Sequence, residues 1–495
     1  MSSDTNRRKF LGSAAGAAAF TILPRHVLAR SGEVPPSDKI NLAYIGTGTQ
    51  GLRELLPMLA SPEIQVVSVC DPCRNPSGYR DWSRDGLLKD IRRGLNKPNW
   101  RAGGEGVIPG GRDVGKNVVD TFYRTESCTA YADYRELLDK EKDLNAVKIM
   151  TPDHLHGVIA MAAMKRGKHV VVHKPIANRL MEAERVIETA RSTGVATHFM
   201  PWDSNGSMEQ VMGWIRDGSI GTLREVHNWS ARPMWPQYAL VPKDRPAVPE
   251  GFDWDLWLGP EAERPYHPDY THMVFRGWYD FGGGSMADMG HYSLWTVFNA
   301  LQLSGPTSVE PMLSHQCAMD GPFAYTVKND YSFPIASVVR FKYPALPLRG
   351  PVDLIWYDGG MKPTTPAGMD ELPDEGVMFT GDKGAILAGF RVENPRLLGG
   401  KATPAETAAR RQRPAGELSP GLKQWVAACK GSSEQSPGSF LNASGITEAV
   451  NLYGVALRAG RRIVYDAGTR RIANVANANR YLSREYRKGW SPEEL

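Results

Sequence analysis

A lysine stands at the end of a run of residues that is typical of a buried strand. The run Val170–Val172 is β-branched throughout and is followed at once by His173, Lys174 and Pro175. Proline fixes the φ angle and lacks an N–H group, so it ends the strand and holds the lysine backbone still. An ammonium group at the carboxyl edge of a sheet would favour the alkoxide that forms before a hydride leaves a carbinol carbon. A solvent-exposed edge lysine is the alternative that these residues alone leave open.

A glycine-rich turn is the second chemical signal. It follows the apolar run 40–45 and opens a helical pattern in the spacing G-x-G-x-x-G. Glycines in this spacing permit a tight turn, let the backbone approach a pyrophosphate and let the helix pack on the strand, while the helix N-terminus faces the anion. The residues of this loop that we expect to contact a dinucleotide are Gly46, Gly48, Thr49, Gln50 and Gly51.

An aspartate selects between the two common dinucleotides. Asp71 stands at the end of the second predicted strand, twenty residues after Gly51. A carboxylate there accepts hydrogen bonds from the adenosine ribose and repels a 2′-phosphate, so we predict NAD as the cofactor. NADP is the less favoured cofactor, and Arg74 is the residue that would receive its phosphate.

The elements that position these residues alternate between strand and helix. Parallel strands need a crossover helix between them, so this alternation predicts a doubly wound sheet. We assign residues 38–177 to a Rossmann dinucleotide-binding domain, with an insertion at about 72–112 that lacks periodicity and is expected to be an ordered surface loop. Beyond about residue 205 strand patterns follow each other without regular helices. Residues 178–495 are therefore predicted to form a substrate-binding α+β domain with a large, mainly antiparallel sheet, and the fold class is α/β.

Composition excludes several classes of protein. The chain has 495 residues, 41% of them apolar, which is enough to bury two cores. The formal charge is +5 and much of the excess lies near the N-terminus, so we expect neither nucleic acid nor a membrane surface as a partner. Five cysteines do not make a disulfide framework. We find no Cys/His cluster with zinc-site spacing and expect no metal.

The first 29 residues resemble a twin-arginine export signal. Arg7 and Arg8 precede an Ala/Gly-rich apolar segment that is too short to span a bilayer, and Val27–Ala29 suits a signal peptidase. Asn6 and Gly12 replace the usual Ser/Thr and Lys. We expect export to the periplasm, which offers no pool of dinucleotide, so the cofactor should stay bound through many turnovers.

Almost everything after this segment resembles the Gfo/Idh/MocA oxidoreductases, which include glucose–fructose oxidoreductase and inositol dehydrogenase. The resemblance rests on the glycine loop, "DYRELL" at 133–138, "TPDHLH" at 151–156, the Lys-Pro pair, "GGGSMADMGH" at 282–291 and "NRYLSREYRKGW" at 479–490. It implies that Lys174 is catalytic. The family motif is Glu-Lys-Pro, and His173 replaces the glutamate here. Lys174 would lose a counter-charge, which makes its proton easier to remove.

The resemblance also implies an aspartate and a histidine on a helix, usually four residues apart, with the histidine as the acid/base group. Asp288 and His291 are three residues apart here, and Tyr292 occupies the four-residue position. We expect His291 to carry the proton, because an imidazole pKa of about 6.5 suits the task, and Asp288 to orient it or to bind a substrate hydroxyl. A structural His291, with Tyr292 or Lys174 taking the proton, is the alternative.

Further site residues follow from the same resemblance. Thr151, Pro152, His154 and His156 are expected to border the nicotinamide and its ribose, although His156 could instead be packed within a helix. Aromatic and planar polar side chains suit the walls of a sugar pocket, and the candidates are Arg232, Trp235, Gln237, Arg276, Trp278 and Tyr279. Asp203, His267 and His272 are alternatives of equal standing.

The predicted function is hydride transfer between NAD and a CH–OH group of a sugar, glycoside or cyclitol. A redox-neutral, NAD-dependent glycosidase or glycoside-modifying enzyme is the alternative, because transient oxidation beside a glycosidic bond permits elimination. A non-catalytic sugar-binding sensor is the second alternative. We expect a homo-oligomer that associates through the sheet of the second domain.

Overall fold

The computed structural model describes residues 34–75, 79–84, 86–101, 108–199, 207–347, 349–399 and 417–494. The predicted export signal and Asp203 lie outside these ranges. The chain divides into two compact units, 1–39 and 40–495. The described part of the first unit contains a 3₁₀ turn at Pro36–Asp38. Everything below concerns the second unit, in which no described helix is long and apolar enough to cross a bilayer.

The first sheet lies where the dinucleotide-binding domain is predicted. Within the described ranges it has six strands, all parallel, in the order β3-β2-β1-β4-β5-β6. The strands are β1 Ile40–Ile45, β2 Ile64–Cys70, β3 Thr129–Tyr131, β4 Ala146–Ile149, β5 His169–Val172 and β6 Thr197–Phe199. Strand order reverses between β1 and β4, so their carboxyl ends form the crevice where such sheets bind ligands. The predicted Rossmann-type fold is confirmed, and β6 extends the sheet past residue 177.

Helices cover this sheet. They are Thr49–Ala60, Gly86–Gly94, Arg112–Tyr123, Tyr134–Lys140, Asp153–Lys165 and Leu180–Thr193. Asp133 caps one of them, since its side chain accepts a hydrogen bond from the backbone N–H of Arg135. The helix Asp153–Lys165 is buried along nearly its whole length, which explains its run of alanine and methionine residues.

The insertion is partly helical, which corrects the expectation of a loop. Its helix Gly86–Gly94 buries Leu87 and Ile91 in the core formed with the helix Thr49–Ala60. Four residues separate these two side chains, so they lie on one helical face. This helix has only about two turns and is flanked by polar residues. Its pattern of apolar residues is therefore too short to be recognised in the sequence.

The second sheet is large and mostly antiparallel, as predicted. Its order is β15-β14-β13-β7-β12-β11-β8-β16-β17, and β7 and β12 pair in parallel. Two further strands, β9 and β10, form a separate hairpin. The strands are β7 Leu223–Trp229, β8 Ser308–Leu313, β9 Cys317–Asp320, β10 Phe323–Thr326, β11 Ser337–Tyr343, β12 Val352–Tyr357, β13 Gly376–Gly381, β14 Ala385–Ala388, β15 Arg396–Leu398, β16 Ile463–Asp466 and β17 Arg471–Ile472.

Several helices and turns accompany this sheet. The helices are Ser207–Arg216, Trp254–Leu258, His291–Leu301 and Ser444–Ala459. The helix Pro420–Cys429 packs instead in the core of the first sheet, where Trp425 and Val426 are buried. A π-helical turn, Met286–Gly290, leads directly into the helix His291–Leu301. Turns of 3₁₀ type lie at His272–Gly277, Phe440–Asn442 and Ala476–Tyr481.

The C-terminal segment packs on the helices of the first sheet. Buried Arg484 makes ion pairs with Glu261 at 2.6 Å and Glu182 at 3.2 Å, and it donates a hydrogen bond to the side chain of Asn178. The indole ring of Trp490 lies under the guanidinium group of Arg135 at 4.2 Å. These contacts therefore stabilise the loop that follows β5.

Candidate active site

A cavity of about 320 Å³ opens at the carboxyl edge of the first sheet. The glycine loop, the ends of β4 and β5, and Asp71 line it from the Rossmann side. Segments that accompany the second sheet close it, among them the loop after β7 and the π-turn. The cavity thus lies where the strand order predicts a ligand.

The glycine loop has the geometry of a pyrophosphate cradle. Gly46 has φ +98°, and a Cβ atom there would lie 2.5 Å from the carbonyl carbon of Met150. A Cβ atom on Gly51 would collide with the carbonyl oxygen of Gly46. Gly48 precedes the helix Thr49–Ala60 without a side-chain cap. The first backbone N–H groups of this helix have no intrahelical acceptor and can donate to an anion, so the loop fits a dinucleotide.

Asp71 lies in the cavity wall beside this loop. Its carboxylate accepts hydrogen bonds from the backbone N–H groups of Thr47 and Cys73, each at 2.8 Å. Burial raises the pKa of Asp71 from its ordinary 3.8 to about 6, against the opposing effect of these hydrogen bonds. Arg74 lies outside the cavity lining, is 66% exposed and pairs with Asp113 at 2.9 Å. The geometry therefore gives no support to Arg74 as a receiver of a 2′-phosphate.

Lys174 and Asp288 form a buried ion pair in the cavity wall. Burial lowers the pKa of Lys174, and the neighbouring Asp288 carboxylate opposes this effect. Burial by itself would raise the pKa of Asp288, but the charges of Lys174 and Arg276 outweigh it and lower that pKa. Asp288 supplies a counter-charge to Lys174 from a distant part of the chain, which corrects the expectation that the exchange at His173 leaves the ammonium group without one.

His291 is buried away from the cavity, which corrects its expected place there. It is 1% exposed, its Nδ1 atom lies 2.9 Å from the Ala287 carbonyl oxygen, and its ring packs 5.0 Å from that of Phe199. Its Nε2 atom has no hydrogen-bond partner among the described residues. Burial lowers its pKa to about 3, so the imidazole is neutral.

Tyr292 takes the place expected for His291. Hydrogen bonds in the π-turn Met286–Gly290 run from residue i to i+5, so a spacing of four rather than three brings a side chain onto the face of Asp288. Tyr292 lines the cavity, and its Oη atom lies 3.4 Å from Nε2 of His173. Burial raises the pKa of the phenol. Of the alternatives left open by the sequence, the structure therefore brings Tyr292, not His291, to the site.

His173 also lines the cavity, at the end of β5. Burial, followed by the charges of Lys174 and Arg276, lowers its pKa well below the ordinary value. The ring is therefore neutral near pH 7, and in the tautomer that leaves Nε2 without a proton this atom can accept a hydrogen bond from the Tyr292 hydroxyl.

The segment Thr151–His156 is only partly at the cavity. Thr151 and Pro152 line it. His154 is packed behind it, 2.9 Å from the Trp257 carbonyl oxygen, and burial lowers its pKa to about 3. His156 contacts the carbonyl oxygens of Pro175 at 2.6 Å and Thr151 at 2.8 Å, so it joins the loops after β4 and β5. The expectation that both histidines border the nicotinamide is corrected for this reason.

The predicted sugar-pocket residues divide into two groups. Arg232, Trp235 and Arg276 line the cavity, as does His272 among the alternatives. Gln237, Trp278 and Tyr279 lie outside the lining. The Trp278 ring instead stacks on that of Tyr238 at 4.6 Å, and the Tyr279 ring lies 4.0 Å from that of Phe333. His267 pairs with Asp244 at 3.3 Å and is not part of the lining.

Residues that sequence reasoning missed complete the cavity. Tyr79, Arg80 and Trp82 come from the insertion, and Arg391 comes from the loop after β14. Tyr79 and Trp82 could have indicated a binding site from the sequence, whereas no motif near Arg391 does so. Among the described residues, no group of three or more His, Cys, Asp and Glu side chains could hold a metal ion.

Two family models match the chain. Residues 112–200 match the NAD-binding Rossmann-fold model of the GFO_IDH_MocA oxidoreductase family, and residues 209–313 match its C-terminal alpha/beta domain model. These matches support the family predicted from the motifs, and NAD is confirmed as the cofactor that the Rossmann model describes. The glycine loop and Asp71 precede the first matched range.

Curated relatives match over part of their length. The chain is 26% identical to a dTDP-3,4-didehydro-2,6-dideoxy-alpha-D-glucose 3-reductase of Streptomyces antibioticus, over 55% of this chain and 58% of the relative. It is 29% identical to a levoglucosan dehydrogenase of Pseudarthrobacter phenanthrenivorans, over 21% of this chain and 28% of the relative. A glycosyl hydrolase family 109 protein of Shewanella baltica is 25% identical, over 38% of this chain and 34% of the relative. The chain thus spans less than two thirds of these relatives.

A solved structure shares the fold. The WlbA dehydrogenase of Chromobacterium violaceum, in complex with NADH and UDP-GlcNAcA, superposes with a TM-score of 0.50 at 14% identity, over 87% of this chain and 97% of that one. At this identity the likeness concerns the fold.

Proposed function

We propose that this chain is an NAD-dependent oxidoreductase of the Gfo/Idh/MocA family that acts on a CH–OH group of a sugar, glycoside or cyclitol. The observation that carries the proposal is the convergence of Lys174, Asp288, Tyr292 and His173 on the cavity that the glycine loop lines. A cation, a carboxylate and a proton-exchanging pair beside a dinucleotide cradle are the groups that hydride transfer from a hydroxyl-bearing carbon requires.

The Rossmann side would hold the cofactor. The first-turn N–H groups at Thr49–Gly51 would bind the pyrophosphate, Asp71 the adenosine ribose, and Thr151 and Pro152 would border the nicotinamide end. When bound, NAD supplies the hydride acceptor or, in its reduced form, the hydride donor.

Residues at the end of β5 and from the π-turn onwards transfer the proton. Lys174 binds the reacting hydroxyl and stabilises the alkoxide that forms on it, while Asp288 keeps the ammonium group in place. The substrate proton passes to Tyr292 Oη as the phenolic proton of Tyr292 passes to His173 Nε2. His173 would hold the O–H proton and a carbonyl group would remain on the sugar, with the bound cofactor supplying the hydride acceptor. Reduction follows the same path in reverse.

The insertion supports retention of the cofactor. The Tyr79 ring lies over the glycine loop, with Cε1 at 3.5 Å from a Cβ atom placed on Gly48. Arg53 pairs with Asp81, and Arg80 pairs with Asp269 at 3.1 Å, so both sides of the cavity hold the segment 79–82. Retention suits the periplasmic location that we propose from the twin-arginine pair in the sequence. We also propose self-association through the outer face of the second sheet, where Met312 is 59% exposed.

Redox-neutral glycoside cleavage is the second candidate function. The matches to glycosyl hydrolase family 109 proteins favour it. Transient oxidation of a carbon beside the glycosidic bond would use the same residues, followed by elimination and return of the hydride.

The test begins with the purified protein, without added cofactor. We expect chromatography of the denatured protein to release one NAD per chain. Sugars and glycosides are then added singly to the intact protein, and the absorbance of bound NADH is recorded. Reduction without cleavage supports the oxidoreductase, whereas cleavage products without net reduction support the second candidate. Sugar binding without either change would overturn both in favour of a sensor.

A further inference from the structure

We infer that Asp358 is a positioning residue for the reaction, because it fixes the register of the π-turn Met286–Gly290 that carries Asp288 and leads to Tyr292. The inference rests on the proposed function, since it assigns a role in that reaction to a residue outside the cavity lining. It comes from a buried hydrogen-bond network that joins this turn to the second sheet.

Asp358 is a buried carboxylate directly after β12, and it is 2% exposed. Within the described part of the chain it accepts five hydrogen bonds. Two come from Ser337, with the backbone N–H at 2.7 Å and Oγ at 2.9 Å. The others come from Trp356 Nε1 at 2.9 Å, Tyr453 Oη at 2.7 Å and Ser285 Oγ. All of these donors are neutral groups.

The donors belong to four separate elements. Ser337 begins β11, Trp356 lies on β12 and Tyr453 lies on the helix Ser444–Ala459. Ser285 directly precedes the π-turn. Well-packed apolar residues often stabilise a core as much as a buried charged group does, so the network adds a defined geometry rather than stability. A buried polar network in which each member is satisfied specifies one arrangement of the elements that it joins.

The π-turn is an element whose register needs to be fixed. Hydrogen bonds from residue i to i+5 are rare and occur mostly as single turns within α-helices, so the α-helical register is the competing arrangement. The two registers differ by one residue, which rotates everything beyond the turn by about 100°. That rotation would carry Tyr292 away from the cavity that it lines.

Hydrogen bonds hold the chain on both sides of the turn. Before it, Ser285 Oγ donates to the Asp358 carboxylate, and we call this hydrogen bond the anchor. After it, Ser293 Oγ donates to Oδ1 of Asn228 on β7 at 2.6 Å. All four side chains are buried. The cavity-lining residues of the turn lie between these two hydrogen bonds, so the register cannot change unless one of them breaks.

The residue after Asp358 holds a second cavity residue. The Gly359 N–H donates to the carbonyl oxygen of Arg232 at 2.6 Å. The Nε atom of Arg232 in turn lies 3.7 Å from Oδ2 of Asp288. Asp358 and its neighbour therefore hold the backbone on both sides of this contact.

Loss of the anchor should affect turnover more than binding. The turn presents Asp288 to Lys174 and Tyr292 Oη to His173 Nε2, which lies 3.4 Å away. A displacement of about 1 Å at reacting groups can cost about a hundredfold in rate. The glycine loop belongs to the first sheet and does not depend on the anchor, so NAD should stay bound.

Two serine variants separate positioning from general stability. Ser285→Ala removes the donor beside the π-turn, and Ser337→Ala removes a hydroxyl donor on β11 to the same carboxylate. We expect kcat for reduction of bound NAD by an accepted sugar to fall by about tenfold to a hundredfold in Ser285→Ala, with KM within about threefold. Ser337→Ala is the control, in which kcat should stay within about threefold of the original. Equal kcat in the two variants overturns the inference.

Asp358→Asn tests the carboxylate itself. The amide keeps the shape but turns one acceptor oxygen into a donor that faces other donors, so we expect a loss of kcat at least as large as in Ser285→Ala. Retained NAD verifies folding, and the serine pair decides if this variant does not fold. Adding Ser285→Ala to Asp358→Asn should lower kcat little further, because both changes remove one interaction. Losses that multiply would contradict the anchor.

Hydrogen exchange separates this inference from the proposed function, because it needs no substrate. Backbone amides at 286–292 should exchange about tenfold faster in Ser285→Ala than in the original protein, and at the original rate in Ser337→Ala. Unchanged exchange in Ser285→Ala overturns the inference even if sugars reduce the bound NAD. Faster exchange confined to the turn, in a protein whose NAD no sugar reduces, would keep the anchor and overturn the oxidoreductase.

Discussion

Two side-chain exchanges distinguish the site from the motif it resembles. His173 stands in place of a glutamate, and Tyr292 stands at the position expected for the acid/base histidine. The exchanged side chains face each other, with Tyr292 Oη 3.4 Å from His173 Nε2. We therefore expect proton transfer to depend on this pair rather than on His291.

Tyr292→Phe removes one hydroxyl group and retains the ring under Arg391. We expect kcat to fall by about a hundredfold or more, because general acid–base groups contribute at least that factor. Steady-state kinetics with an accepted sugar and the content of bound NAD give the measurement.

His291→Asn is the matched control. Asparagine can still donate a hydrogen bond toward the Ala287 carbonyl oxygen, so we expect a loss of stability with kcat within about threefold of the original. If His291→Asn loses most of its kcat while Tyr292→Phe stays active, His291 rather than Tyr292 is the residue that exchanges the proton.

The affinity for NAD should depend on pH through Asp71. Burial raises its pKa to about 6, so the carboxylate is ionised above that pH and protonated below it. Ribose hydroxyls bind the ionised form better, so the affinity of stripped protein should fall by up to about tenfold per pH unit below about 6. Fluorescence titrations of the stripped protein with NAD, repeated across this pH range, measure how steeply the affinity changes with pH. Asp71→Asn should bind more weakly at neutral pH and show a flat profile, and an equally steep profile in that variant would assign the titration to another group.

The sequence could predict those parts of the site that follow directly from single secondary-structure elements. The glycine loop, Asp71 and Lys174 follow strand ends, and parallel strands bring their carboxyl ends to one edge, so short-range patterns place them correctly. The π-turn gives no such pattern, because it differs from a helix by one residue of register and turns His291 into the core. The contact of Asp288 with Lys174 joins residues 114 positions apart and depends on how the two sheets pack, which local spacing does not indicate.

The insertion is the element that we expect to control cofactor release. Tyr79→Ala removes the ring over the glycine loop, so NAD dissociation should speed up by about tenfold or more, the factor that 1.4 kcal/mol of lost contact produces. Stopped-flow displacement by an excess of labelled NAD measures the rate. Lys89→Ala lies in the same insertion on an exposed side chain and should leave the rate unchanged. Equal rates in both variants would mean that the insertion does not retain the cofactor.

Several histidines lie buried in the hydrophobic cores of the molecule. Burial lowers the pKa of His154, His198 and His291 to about 3 each, so they stay neutral in the folded state. In the unfolded chain they bind protons near pH 6.5, so the stability gained from keeping them neutral is present above about 6.5 and is lost as pH falls toward 3.

Urea unfolding followed by circular dichroism should register this loss. The free energy of unfolding should fall by a few kcal/mol, at the least, between about pH 7 and about pH 4. His198→Asn should make the profile less steep, because it removes one of the linked protons. A free energy that does not change over this range would contradict the burial of neutral imidazoles.

The most direct measurement of the central claim is the reduction of bound NAD in Lys174→Ala. The claim is that one cavity holds the dinucleotide along the glycine loop and presents a sugar hydroxyl to Lys174 at the end of β5. The account predicts that the variant retains one NAD per chain and that no sugar able to reduce the cofactor in the original protein reduces it in the variant at a measurable rate. Reduction at the original rate in Lys174→Ala, with the same sugar, would contradict the account.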